Sequence, residues 1–181
     1  MAPVSHPGTG IPPPAGATGP GGNVIAMALD AKILTVSDSV SQGTRQDGSG
    51  DELARLLAGR GFQVVHRRVV PDGVVPVAAA LVELTSHFAG LVVTTGGTGF
   101  SPTDLTPEAT DSVIERQAPG LAEAMRAASP LGRLSRGMAG TIGQCLVLNL
   151  PGSPKGAVES LEAVVDVLDH ALELLAGQHP H

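Results

Sequence analysis

The segment "GLVVTTGGTGFSPTDLTPEAT", residues 90–110, decides the fold. Its first six residues are almost wholly apolar and rich in β-branched side chains. Such a run suits a short strand buried on both faces, as in a parallel sheet covered by helices. Three glycines, several hydroxyls and one aspartate, Asp104, follow at once. In open α/β sheets, ligands bind beyond the carboxyl ends of the strands. A polar, glycine-rich break at that place is therefore either a tight turn that needs positive φ or the floor of an anion site.

Working outward, the chain alternates strand-like and helix-like runs. "KILTVSD" (32–38), "QVVHRRVVP" (63–71) and "GLVVTT" (90–95) read as strands, as do "SRGMAGTIG" and "QCLVLNLPG" nearer the C-terminus. Between them, helices are expected over 49–62, 75–88, 107–117 and 120–129, and over 157–177 as one long amphipathic helix. Ser49 and Glu52 have capping-box spacing, and Thr106 before Pro107 reads as an N-cap. The long helix carries Val158, Leu161, Val164, Val165, Leu168, Leu172 and Leu175 on one stripe. This alternation predicts an α/β three-layer sandwich with a mainly parallel sheet and helices on both faces.

Composition limits the function. The 181 residues contain 42% hydrophobic but only 2% aromatic side chains, so the core is aliphatic. The net charge of −6 and the shortage of stacking rings argue against nucleic acid as a partner. No apolar run reaches the ~18–20 residues of a membrane span, and the N-terminus does not read as a signal peptide, so a cytoplasmic location is expected. Residues 1–23, dense in Pro and Gly, are expected to be a disordered tail, and 24–181 a single domain. Cys145 stands alone in an apolar setting and reads as core. His170 lies in a helical pattern, and the histidines show no metal-ligand spacing.

Three strand ends carry unusual polar chemistry: "VSDSVSQG" (36–43), "TTGGTGFSPTD" (94–104) and "NLPGSPKG" (149–156). The glycine loop fits neither a P-loop nor a dinucleotide fingerprint. Asp104 is not needed for capping if Thr106 caps. A carboxylate beside a phosphate nest is repelled unless a cation lies between them, which makes Asp104 a candidate Mg²⁺ ligand. Asp72, in "VVPD" at the end of the second strand, is the natural second ligand, or else a turn residue of Pro-Asp-Gly. Ser135 and Arg136 in "LSRGMAG" offer a hydroxyl and a guanidinium to a second phosphate, unless the arginine is merely exposed. Ser153 is placed to cap the last helix, Ser49 is a possible cap, and Asp38 and Asp47 are possible turn formers.

The ordered set "TVSDSVSQGTRQDGSG", "VVPD", "TTGGTGFSPTDLTPEAT", "LSRGMAG" and "NLPGSPKG" resembles the molybdopterin adenylyltransferases of molybdenum cofactor biosynthesis, including the amino-terminal domain of gephyrin. The resemblance covers about residues 29–177. It implies Mg²⁺-dependent transfer of AMP from ATP to molybdopterin, with pyrophosphate leaving. It implies Asp72 and Asp104 as the metal-binding catalytic pair. It implies substrate contacts from Ser37, Asp38, Asp47, Ser49 and Gly50, from Thr95, Gly96, Gly97, Thr98 and Gly99, from Ser135 and Arg136, and from Asn149, Pro151, Gly152 and Ser153. It also implies a homotrimer and a possible molybdenum insertase partner. A non-catalytic, molybdopterin-binding or scaffold member of the same family is the other reading.

Overall fold

The computed structural model describes residues 29–178; the expected N-terminal tail and the proposed start of the domain at residue 24 lie outside them. The strands are β1 (Leu29–Val36), β2 (Phe62–Val70), β3 (Gly90–Thr95), β4 (Arg116–Gln117), β5 (Ala139–Ile142) and β6 (Cys145–Leu150). The helices are α1 (Asp38–Ser41), α2 (Gly48–Gly59), α3 (Val74–Thr85), α4 (Thr106–Asp111), α5 (Pro119–Ala127), α6 (Pro154–Glu162) and α7 (Val165–Leu175), with a 3₁₀ turn over Pro130–Leu134.

One six-stranded sheet has the order β2-β1-β3-β6-β5-β4. The first four strands in that order run parallel, while β5 and β4 are antiparallel additions. Every residue of β3 is buried, as its apolar run requires. One face of the sheet carries Ile33, Leu91, Val93 and Leu148 against Leu53 and Leu57 of α2 and Leu161 and Leu168 of α6 and α7. The other carries Leu34, Val92 and Val147 against Val77 and Leu81 of α3 and Ala109 of α4. This is the expected three-layer sandwich. Each fully buried leucine contributes about 1.5–3 kcal/mol of transfer free energy.

The chain passes from β1 to β2 on one side and returns across the sheet to β3 on the other side of β1. That reversal leaves a crevice beyond the carboxyl ends of β1 and β3, the usual place for a ligand in such sheets.

Four local expectations are corrected. The cap of α2 is Asp47, whose Oδ1 accepts the Gly50 N–H (2.9 Å), and Ser49 lies inside the first turn. Thr106 is the first residue of α4 and makes no cap; its Oγ1 instead donates to Gly96 O (2.9 Å). α4 ends at Asp111, where Ser112 Oγ turns back onto Ala109 O (2.7 Å), and the chain then supplies β4 to pair with β5. The long C-terminal helix is two, α6 and α7, with the break at Ala163–Val164. The step keeps the β-branched pair Val164 and Val165 buried while the stripe continues along the sheet.

Candidate functional site

The crevice holds two adjoining clefts. The first, ≈ 550 Å³, is lined by the end of β1 (Thr35, Val36, Ser37), by Val40, Arg45 and Gln46, by Gly48 and Ser49 of α2, by Asp72, by Thr95, Gly96, Gly97 and Asp104, and by Gly152, Ser153 and Pro154. The second, ≈ 710 Å³, is lined by Gly97, Thr98, Gly99 and Asp104, by Ser129 to Gly132, Leu134 and Ser135, and by Pro151 to Ser153 with Lys155, Gly156, Glu159 and Ser160 of α6. Gly97, Asp104, Gly152 and Ser153 belong to both walls. The first cleft is the more polar of the two. The second adds the exposed side chains of Leu131 and Leu134.

The glycine loop is built for close approach. Gly96 and Gly97 have φ of +107° and +63°. A Cβ at Gly96 would collide with Val36 O, and one at Gly97 with Thr106 Oγ1. A Cβ at Gly97 would also lie 3.4 Å from Asp72 Oδ1, so Asp72 faces this loop across the cleft. A Cβ at Gly152 would sit 3.1 Å from Gly96 Cα, so the loops after β3 and β6 pack backbone to backbone. Thr95 Oγ1 donates to Pro151 O (2.7 Å) and stitches them together. The N-termini of α2 and α6 both open onto the first cleft, and each carries partial positive charge. Ser153 caps α6 as expected, its Oγ accepting the Gly156 N–H (3.2 Å).

The two aspartates sit in the same cleft and are held differently. Asp72 Oδ2 accepts the Asp38 N–H (2.9 Å), and Asp38 Oδ1 accepts the Asp72 N–H (3.1 Å), a reciprocal clasp between the loops after β1 and β2. Asp104 Oδ2 accepts the Ser101 N–H (2.9 Å), and the Asp104 N–H returns to Ser101 O (2.9 Å). Each carboxylate keeps its Oδ1 out of any hydrogen bond among the described residues. Among the described residues no group of three or more His, Cys, Asp or Glu could form a protein-only metal cage. Mg²⁺, however, is ordinarily held by one or two carboxylates plus substrate phosphates and water. Two half-free carboxylates beside a glycine loop fit that donor set.

Several expected substrate contacts are found elsewhere. Asp47 is consumed by the fold: besides capping α2, its Oδ2 accepts from Thr35 Oγ1 (2.8 Å) and from Arg67 (3.1 Å). Gly50 lies behind it, where a Cβ would collide with that carboxylate. Asp38 lines neither cleft and acts on Asp72. Asn149 is 2% exposed. Its amide donates to Thr94 and Thr110 (3.1 and 3.0 Å) and its Oδ1 accepts the Met138 N–H (3.2 Å), so it is a buried joint between β3, α4 and β6. Arg136 also lines neither cleft, its guanidinium being occupied by Gly99 O, Asp104 O and Glu108. That pairing holds the Glu108 carboxyl below its ordinary range, the arginine hydrogen bond being the main cause.

The other expected residues do reach the clefts: Ser37, Ser49, Thr95 and Gly96 the first, Thr98, Gly99, Ser135 and Pro151 the second, and Gly97, Gly152 and Ser153 both. Arg45 was missed. It donates to Ser37 Oγ (3.2 Å), lines the first cleft, and reaches no carboxylate among the described residues. Its signal was present, since it is the one cation in the loop that follows β1. Cys145 is fully buried beneath the Phe88 carbonyl (3.0 Å), and burial pushes its thiol up to about 11. His170 lies on α7, 4.0 Å from Glu173. No helix among the described residues is long and apolar enough to cross a membrane.

Comparison with known proteins places the fold among molybdenum cofactor biosynthesis proteins. The molybdopterin adenylyltransferase of Helicobacter pylori strain J99 is 36% identical over 154 residues, covering 81% of this chain and 88% of its own. Gephyrin of Dictyostelium discoideum is 36% identical over 157 residues, which span 79% of this chain and 22% of that longer protein. The structure of the molybdopterin biosynthesis enzyme MoaB from Thermus thermophilus superposes with a TM-score of 0.78 at 46% identity, over 83% of this chain and 98% of the other. The Mog protein from Mycobacterium ulcerans gives 0.78 at 42% identity, over 84% and 100%. With residues 32–170 matching the family described as a probable molybdopterin binding domain, the chain belongs to that family.

Proposed function

We propose that this protein is a molybdopterin adenylyltransferase, an enzyme of molybdenum cofactor biosynthesis. A phosphate oxygen of molybdopterin attacks the α-phosphorus of ATP, the bond from that phosphorus to the bridging oxygen breaks, and adenylyl-molybdopterin and pyrophosphate form. The observation that carries this reading is the shared wall: Gly97, Asp104, Gly152 and Ser153 border both clefts, so two anionic reactants could meet there. In this reading the first cleft takes the triphosphate, with Arg45, Ser37 and the α2 N-terminus binding its oxygens. The second takes the flat pterin, against Leu131 and Leu134, with Ser135 at its phosphate. The work of the protein is then alignment and charge placement rather than covalent chemistry.

Asp72 and Asp104 would hold Mg²⁺ together with phosphate oxygens. Bound there, the ion supplies neutralisation of the charge that builds on departing pyrophosphate. A binder of anions gains nothing from two carboxylates in its cleft, which favours an enzyme over a scaffold. A homotrimer and a molybdenum insertase as recipient of the product are carried by the family resemblance.

Incubation with molybdopterin, ATP and Mg²⁺, followed by mass spectrometry, tests the proposal. Adenylylated pterin that appears only with all three is expected. Tight pterin binding without product would leave the chain a scaffold member of its family.

A further inference from the structure

Arg136 is a long cation beside a proposed phosphate site, yet it turns away from it. Its Nε donates to Gly99 O (2.7 Å), one terminal nitrogen donates to Asp104 O, and the other pairs with Glu108 of α4. Its own backbone N–H donates to Thr98 O (2.8 Å). The Phe100 ring lies 6.0 Å from the guanidinium carbon. Gly99 and Asp104 are the two ends of the loop that carries the Asp104 carboxylate. One planar group thus closes the neck of that loop and fastens it to α4. Within the loop, Asp104 Oδ2 is fixed by the Ser101 N–H (2.9 Å), and it lies where a Cβ on Gly99 would be 2.8 Å away. The placement of the Asp104 carboxylate on the wall of both clefts therefore depends on a neck held by Arg136.

We infer that Arg136 is a positioning residue for Asp104, which locks the 99–104 loop in the geometry that nucleotidyl transfer requires. The inference rests on the proposed reaction and deepens it. It differs from a phosphate-binding role in a way chemistry can separate. A phosphate needs a charge, and a lysine supplies one. A neck needs several N–H groups fanned in one plane, which a lysine ammonium cannot supply.

The test compares Arg136→Lys and Arg136→Gln with wild type and with Asp104→Asn. Both Arg136 variants are expected to lose roughly 10²-fold in kcat, the scale of a small misplacement of a reacting group. Their KM values for ATP and molybdopterin should stay within about three-fold, since Arg136 borders neither cleft. In the Asp104→Asn background, Arg136→Gln should cost only a few-fold more, because the residue it aims has lost its charge. Restored kcat in Arg136→Lys, a raised KM with kcat kept in Arg136→Gln, or full additivity with Asp104→Asn would each overturn the inference. Mn²⁺ binding to each protein in the presence of ATP, followed by electron paramagnetic resonance, gives a readout without turnover. Arg136→Gln should weaken it as much as Asp104→Asn does, and unchanged Mn²⁺ affinity would refute the positioning role. If the wild type makes no adenylylated product, the proposed function fails, while the Mn²⁺ comparison still decides whether Arg136 aims Asp104.

Discussion

Replacing Asp104 by asparagine removes one negative charge and little else. The amide oxygen of asparagine can still accept the Ser101 N–H that Oδ2 now takes at 2.9 Å. The same holds for Asp72, whose Oδ2 accepts the Asp38 N–H at 2.9 Å. Each bond goes from charge-assisted to neutral, which weakens it by about half and costs the fold about 0.5–1 kcal/mol. In a chain of this size that lowers Tm by about 1–4 °C. The transition state loses far more, because the charge that would hold Mg²⁺ against the departing pyrophosphate is gone. Loss of one such contact typically costs about 10²–10³ in turnover, or about 2.7–4 kcal/mol. The two magnitudes are well separated, so thermal melts and steady-state adenylylation together distinguish a site effect from a folding effect. Molybdopterin affinity, followed by fluorescence, should hold or rise as a nearby like charge disappears. Both asparagine variants turning over at the wild-type rate would refute the assignment, and a Tm drop beyond about 10 °C would mean that these carboxylates serve the fold.

Gly97→Val should weaken binding of both substrates and also lower Tm by several degrees, because its φ of +63° and its contact with Thr106 Oγ1 leave no room for a branched side chain; an unchanged melt with normal affinity would remove the loop from the site. Arg45→Ala should raise the KM for ATP by about ten-fold with Tm nearly unchanged, and the wild-type KM should rise with salt more steeply than that of the variant. Cys145 should resist iodoacetamide at about pH 8 in the native protein and react once it is unfolded. Its folded pKa is raised to about 11, so burial of the neutral thiol favours the fold below the unfolded value near ~8.5, and that contribution is lost as pH climbs from there through about 11.

Much of the layer architecture was legible because burial leaves a plain mark on sequence. "GLVVTT" could only be a strand shielded on both faces, and its observed bounds are those expected. What local pattern could not disclose was which of two adequate partners a residue would choose. Ser49 and Asp47 both suit the start of α2; Asp47 takes the cap because its carboxylate also serves Thr35 and Arg67, contacts made across the sheet. Thr106 offers a good cap yet spends its hydroxyl on Gly96 O. The break between α6 and α7 leaves the apolar spacing unbroken, so periodicity reads through it. Around the clefts, Asp72 and Asp104 stood out because a carboxylate beside glycines needs a reason. Arg136 looked like a phosphate contact because a guanidinium suits one, and Asn149 was implied only by the family resemblance; their partners show both bracing the walls. Arg45 escaped notice although it is the one cation in the loop after β1, because a single charge has no spacing to set it apart from a solvated loop residue.

The attachment of the loop after β1 has a consequence for how this family can diversify. At one end Ser37 donates its N–H to Val70 O at 3.0 Å; at the other, Asp47 grips β1 and β2 through Thr35 and Arg67. Residues 38–46 are thus a span between two fixed abutments on the sheet. Doubling the length of such a span costs only about 0.6 kcal/mol in closure entropy. Insertions and deletions between Gly43 and Gln46 could therefore remodel the mouth of the first cleft, and move or replace its cation, without disturbing the sheet. Length variation here is a route by which related chains could tune which nucleotide they accept while keeping the reaction centre intact.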